Sequence, residues 1–201
     1  DGSYALANYP VVPGHEFAGV VAAIGNNVTK FKTGERVTAD PNLPCNKCEF
    51  CVRGQYNQCL NLGAVGVTRD GAFAGYVAVP ESAVYSIGDM PFSQAALIEP
   101  LACVAWGMQQ VQIHRGDNVL IFGAGPMGSL MLQAVKSAGA ASVVMVDKEE
   151  WRLELSKKLG ATQIINAAEL NAKTFKDIAP HGFDIVADAT GVVSVIEQTF
   201  A

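Results

Sequence analysis

The stretch Val119-Leu120-Ile121-Phe122-Gly123-Ala124-Gly125-Pro126-Met127-Gly128 decides the fold. Its four apolar residues predict a buried parallel strand, and the glycines behind them predict a tight turn into a helix. In Gly123-x-Gly125-x-x-Gly128 the first glycine allows the turn. The second leaves bare backbone for a pyrophosphate to approach, and the third lets the helix sit close to the strand. The helix N-terminus then offers unpaired N–H groups and partial positive charge to phosphates. Gly123, Gly125, Pro126, Met127 and Gly128 are therefore candidate cofactor-binding residues. A glycine turn alone is weak evidence, but its setting strengthens it. Val143-Val144-Met145-Val146 reads as a second strand and ends in Asp147, 19 positions after Gly128. A carboxylate about 20 positions on is suited to the adenine-side ribose. It would favour NAD, because the 2′-phosphate of NADP would meet a like charge. The plain alternative is a strand, a turn and an acid that caps the next helix.

Toward the C-terminus the alternation continues. Strands at 119–122, 142–147, 163–166 and 183–188 alternate with helices at 126–138, 149–159 and 169–178, and another helix starts near Val192. This pattern predicts a doubly wound parallel sheet. Trp151, Leu155 and Leu159, at i, i+4 and i+8, predict a face packed on that sheet. Arg152 is placed either to reach the adenine side of a cofactor or to stay solvated. Asp188-Ala189-Thr190-Gly191 ends its strand at the ligand-binding edge, which makes Thr190 a candidate cofactor contact.

Toward the N-terminus the pattern changes. Residues 92–110 read as helical and hold Glu99 among apolar neighbours, just before Pro100. An unpaired carboxylate there would be costly, so a metal, a buried arginine or a backbone amide is its expected partner. Cys103 reads as a small core residue. Residues 72–80 and 84–87 read as strands about the turn Glu81-Ser82. Residues 19–25 read as another, before the turn Asn26-Asn27. Gly34-Glu35-Arg36-Val37 reads as a turn entering a further strand, with Arg36 a candidate buried ion-pair residue. Short, glycine-punctuated strands predict a small antiparallel barrel.

Cys45, Cys48, Cys51 and Cys59 follow the spacing C-x2-C-x2-C-x7-C. Four thiolates on so short a loop can close a tetrahedron on zinc, and a full thiolate set makes such a site structural. An iron–sulfur cluster and disulfides are the rivals, though Leu60 stands where the bacterial ferredoxin run has proline. Gly14-His15-Glu16 joins an imidazole to a carboxylate, the chemistry of a metal ligand pair or of a ligand and its supporting acid. The plain alternative is a histidine hydrogen-bonded at a strand start.

With 201 residues, half of them hydrophobic and only 16% charged, the chain can build a packed core. A net charge of −5 with no basic cluster argues against nucleic acid and anionic membranes as partners. No apolar run reaches the roughly 18 residues of a membrane span. No basic-then-apolar leader is read at the start, and clustered cysteines suit a reducing compartment, so a cytoplasmic location is expected. Asp1-Gly2-Ser3-Tyr4 lacks an initiator methionine and Glu197-Gln198-Thr199-Phe200-Ala201 stops within a helical pattern, so the expectation is a fragment.

Gly14-His15-Glu16-Phe17, Gly34-Glu35-Arg36-Val37, the four cysteines, Glu99-Pro100-Leu101 and the glycine turn occur in an order that resembles the zinc-dependent medium-chain alcohol dehydrogenases. Within them the chain is similar to the polyol (sorbitol/xylitol-type) group. The resemblance implies an α/β plus β architecture. A GroES-like β-barrel domain at residues 1–90, with a zinc lobe at 41–62, precedes a crossover helix and Rossmann domain at 91–201, both domains truncated. It implies a catalytic zinc in the cleft between the domains, with His15, Glu16 and Glu99 as its ligands or supports. It implies a structural zinc on the four cysteines, NAD as cofactor and a homo-oligomer in full-length form. The implied reaction moves a hydride from a secondary alcohol, a polyol or sugar alcohol, to NAD+ and leaves a ketone. The cysteine ligand that the family carries in a Cys-Gly-Thr/Ser motif has no counterpart in the sequence. The rival readings are a zinc-free NADPH-dependent quinone or alkene reductase and a catalytically silent protein that binds zinc and nucleotide.

Overall fold

The computed structural model describes residues 7, 9–170 and 172–199. The readings made on Asp1–Tyr4 and on Phe200 and Ala201 lie outside them. The chain divides into two compact units, residues 1–100 and 101–201.

The first unit carries β1 (Ala18–Val20), β2 (Arg36–Ala39), β3 (Asn42–Leu43), α1 (Glu49–Val52), β4 (Gly63–Ala64), β5 (Val84–Ser86) and α2 (Phe92–Ala95). β1, β2 and β5 form an antiparallel sheet in that order, with Ala18 opposite Thr38 and Thr38 opposite Tyr85. β3 and β4 form a separate antiparallel pair that brackets the cysteine segment. The expected strand at 19–25 is confined to β1. The expected strand at 72–80 is absent, and its Phe73 and Tyr76 are 77% and 83% exposed. A strand exists only where its N–H and C=O groups meet a partner edge. Among the described residues only the start of that segment finds one, where Gly71, Ala72 and Phe73 donate to Val12, Gly14 and Pro13. Residues 17–25, 72 and 74–79 instead line an open, largely apolar cavity of about 700 Å³. Arg36 forms no ion pair among the described residues. Its guanidinium donates to the carbonyls of Gly88 and Met90 at 3.2 and 2.8 Å and lies 4.4 Å over the Phe92 ring, which ties β2 to α2 and to the turn before it.

The expected helix at 92–110 is two helices, α2 and α3 (Ile98–Val111). Cys103 is exposed on α3, whereas Val104 is 2% exposed. The apolar composition of this helix does not report which of its faces has a partner.

The second unit carries β6 (Asn118–Phe122), α4 (Pro126–Ala138), β7 (Ser142–Asp147), α5 (Glu150–Lys158), β8 (Gln163–Asn166), α6 (Ala172–Ile178), β9 (Ile185–Asp188) and α7 (Val193–Gln198). All strand pairs are parallel, in the order β8-β7-β6-β9. Val119, Ile121, Val143 and Met145 form one core with Leu132 and Val135 of α4 and Leu153 of α5. Leu120, Phe122, Val144, Val146 and Ile165 form a second core with Phe175, Ile178 and Phe183 around them. Alternate residues of β6 and β7 thus feed separate cores, as strands covered on both faces require. Each such side chain contributes about 1.5–3 kcal/mol by leaving water. α4 opens with Pro126, which needs no N–H partner there, and closes with Gly139 at φ 105°.

The expected packing face of α5 is corrected. Trp151 and Leu155 are 64% and 41% exposed, and Leu153 and Ser156 are buried instead. At about 100° per residue, Leu155 lies nearly opposite Leu153 on the helix. Only Leu159 of the expected three packs against the core. Among the described residues, no helix is long and apolar enough to cross a membrane.

Candidate functional site

His15 stands just ahead of β1, and Glu99 lies in the first turn of α3. They are 84 positions apart in sequence, yet with Glu16 their ligand atoms lie within 4.8 Å of one another. His15 and Glu99 are half-buried and Glu16 is exposed. A tetrahedral ion with bonds of about 2.1 Å would bring such N and O atoms to about 3.4 Å apart, a closure that carboxylate rotation can supply. The donor set, one imidazole and two carboxylates, suits zinc.

The cysteine lobe fits zinc more tightly. Its four Sγ atoms also lie within 4.8 Å of one another. Cys45 and Cys51 Sγ are 3.9 Å apart. A zinc–sulfur bond of about 2.3 Å predicts a tetrahedral edge of about 3.8 Å. A disulfide needs about 2.05 Å, and none of the five cysteines forms one. The backbone N–H groups of Lys47 and Cys48 pull the Cys45 thiol down to about 6. N–H groups of Cys51 and Leu60 lower Cys48 as well. Burial, helped by the Cys59 and Cys48 sulfurs, pushes Cys51 up to about 12. Such a cluster invites a central cation, because amide donors favour thiolates whose mutual repulsion opposes full ionisation.

The remaining candidates gather at the C-terminal ends of the second unit's strands. Gly123 follows β6 at φ +94°, and a Cβ there would lie 2.9 Å from the Ala189 carbonyl carbon and oxygen. At Gly128 a Cβ would fall 1.8 Å from the Gly123 oxygen, so glycine is what brings α4 this close. At Gly125, the residue capping α4, a Cβ would meet nothing within 4 Å. Pro126 and Met127 form the first turn behind it. Asp147, 8% exposed, closes β7. Its Oδ2 accepts the Ala124 N–H at 2.7 Å and its Oδ1 accepts the Glu149 N–H at 2.9 Å. Arg152 Nη1 lies 3.9 Å from Asp147 Oδ2, and the guanidinium lies 5.2 Å over the Trp151 ring.

Thr190 follows β9 and donates its hydroxyl to Asp188 Oδ1 at 2.6 Å. The Thr190 and Gly191 N–H groups bind the same carboxylate at 3.1 and 3.0 Å. Partial burial raises the Asp188 carboxyl, but the hydroxyl and the two amides outweigh it and the pKa is lowered. This role of Asp188 is not read from the sequence above, although Asp-x-Thr-Gly is a recognisable turn signal. Nor is the Asp147–Ala124 bond, because a carboxylate that reaches across to a turn 23 positions earlier leaves no local trace.

Residues 1–89 match the model of the alcohol dehydrogenase GroES-like domain, and residues 126–201 match that of the zinc-binding dehydrogenases. The chain is 44% identical over 198 residues to D-altritol 5-dehydrogenase of Agrobacterium fabrum, covering 96% of this chain and 57% of that protein. It is 35% identical over 204 residues to sorbitol dehydrogenase of Bacillus subtilis, covering 100% and 58%. A crystallised zinc-binding dehydrogenase of Sinorhizobium meliloti with NADP bound superposes at a TM-score of 0.88 and 34% identity, covering 96% of this chain and 58% of that one. The chain thus spans little more than half the length of these relatives.

Proposed function

The chain belongs to the zinc-binding medium-chain alcohol dehydrogenase family, and from that premise we propose that it is part of an enzyme oxidising a secondary alcohol of a polyol or sugar alcohol to a ketone with NAD+. The observation that carries this reading is the meeting of His15, Glu16 and Glu99. When bound, zinc supplies Lewis acidity toward an alcohol hydroxyl, and the nicotinamide supplies the hydride acceptor. His15 offers a ring nitrogen, and Glu99 and Glu16 offer carboxylate oxygens that hold the metal or stand just behind it. Cys45, Cys48, Cys51 and Cys59 hold a second zinc that orders their lobe.

On the second unit, Gly125 leaves backbone open for the pyrophosphate, and the N–H groups at the start of α4 face it. Asp147 is placed to accept the ribose hydroxyls, and its negative charge disfavours a 2′-phosphate. Thr190, held by Asp188, borders the same turn. The relatives named for D-altritol and sorbitol support a polyol as substrate.

A second cofactor reading has its own support. Arg152 stands beside Asp147, an arginine there can accept a 2′-phosphate, and the Sinorhizobium relative was solved with NADP. Metal analysis and cofactor titration test both readings. Two zinc ions per chain and tighter binding of NAD+ than of NADP+ are expected. One zinc per chain would overturn the catalytic centre, and preferred NADP+ would overturn the role given to Asp147. A polyol panel with each cofactor, read as reduced nicotinamide, then tests the substrate class.

A further inference from the structure

The backbone leading into His15 is gripped by a second segment, residues 66–73. The N–H groups of Gly71, Ala72 and Phe73 bind the carbonyls of Val12, Gly14 and Pro13 at 2.7, 2.9 and 3.0 Å. In return the Val12 N–H binds Asp70 Oδ1 at 2.9 Å. The fit leaves no space. A Cβ on Gly66 would lie 2.5 Å from the Gly14 oxygen, and one on Gly71 would lie 2.2 Å from it. Gly14 itself is at φ +102°, where a Cβ would strike the Phe73 ring at 2.5 Å. The segment is anchored at its own start, because β4 pairs with β3, Val65 is 1% exposed and the Val65 N–H binds the Pro41 carbonyl at 2.9 Å.

We propose that residues 66–73, through Gly66, Asp70 and Gly71, form a clamp that fixes Gly14 and so positions His15 for Glu16 and Glu99. The clamp rests on the reading of these three side chains as a metal centre. A non-bonded carbon–oxygen contact settles at about 3.3 Å. A methyl on Gly71 therefore displaces the Gly14 carbonyl by about 1 Å, twice the roughly 0.5 Å tolerance of a metal or catalytic site. The converging ligand atoms belong to His15, Glu16 and Glu99 and not to Asp70, and Gly71 has no side chain, so both are positioning residues.

The test is a Co2+ titration of the metal-free chain, of Gly71→Ala, and of the pair Asp70→Ala and Asp70→Asn. Thiolate-to-cobalt charge transfer reports the cysteine lobe separately from the nitrogen–oxygen site. Gly71→Ala should weaken the nitrogen–oxygen site by about tenfold or more while the thiolate band fills as in the wild type. Asp70→Ala should weaken the same site, and Asp70→Asn, whose amide oxygen still accepts the Val12 N–H, should restore it. An unchanged nitrogen–oxygen site in Gly71→Ala, or equal losses in the two Asp70 variants, overturns the clamp. If Gly71→Ala loses the thiolate band as well, it has not folded and the Asp70 pair decides. A wild-type chain that fills only the thiolate band overturns the metal centre itself, a failure distinct from that of the clamp.

Discussion

One added methyl at Gly128 and one at Gly125 should separate the two roles of the glycine turn. At Gly128 the new Cβ would sit 1.8 Å from the Gly123 oxygen and 2.9 Å from its carbonyl carbon. Relief to a contact of about 3.3 Å requires about 1.5 Å of movement. Gly123 cannot supply it, because its N–H binds the Val146 carbonyl at 2.7 Å and its other side abuts Ala189. α4 must back away from β6 and loosen Leu132 and Val135 against Val119 and Ile121. Overpacking costs about 1–3 kcal/mol, and collision with fixed backbone puts this case at the upper end, about 3 kcal/mol. At Gly125 the methyl meets nothing and φ is −69°, so only a poorer N-cap is created, at about 0.5 kcal/mol. With a urea m-value of about 1–3 kcal/mol per molar, Gly128→Ala should lower the unfolding midpoint by about 1 M or more, followed by circular dichroism. Gly125→Ala should unfold near the wild type yet bind NAD+ about tenfold more weakly by calorimetry, because its methyl fills the approach of the pyrophosphate. Coincident midpoints for Gly128→Ala and wild type would refute the packing argument. Equal destabilisation by the two variants would refute the division of roles.

Replacing His15 with alanine should remove one zinc per chain by metal analysis while the cysteine lobe keeps its ion and NAD+ still binds. Retention of both ions would count against His15 as a ligand. Asp147→Ser should raise NADP+ affinity relative to NAD+ and, by weakening the acceptor of the Ala124 N–H, cost about 1 kcal/mol in urea unfolding. An unchanged cofactor ratio would remove the ribose contact. Asp188 has a pKa lowered from its ordinary 3.8, so its stabilisation is present above that value and lost as pH falls through the lower folded one. Asp188→Asn should therefore flatten the acid limb of stability below about pH 4, and an unaltered limb would show that the Thr190 turn adds nothing.

The parallel sheet was legible because its signals are local. β6 and β7 each hold a continuous run of four apolar residues, and the punctuation Gly123 and Asp147 stands at their ends. The cysteine lobe was legible for the same reason, since its four sulfurs fall within fifteen positions. The nearness of His15 to Glu99 was not: no spacing rule spans 84 positions, and only the resemblance joined them. The errors share a cause. Residues 72–80 have strand composition, Cys103 sits in an apolar helix, and Trp151 with Leu155 follows helical periodicity. Each of these patterns states what a segment could bury, and none states whether a partner faces it. Glycine carries the same ambiguity in sharper form. Gly125 and Gly128 stand three apart in one motif, yet one opens on space and the other closes on a backbone oxygen. Gly66 and Gly71 drew no notice as letters, because their meaning is the carbonyl of Gly14, some fifty positions earlier. A glycine can be read as a binding or a packing residue only once the atom that its missing side chain would displace is known.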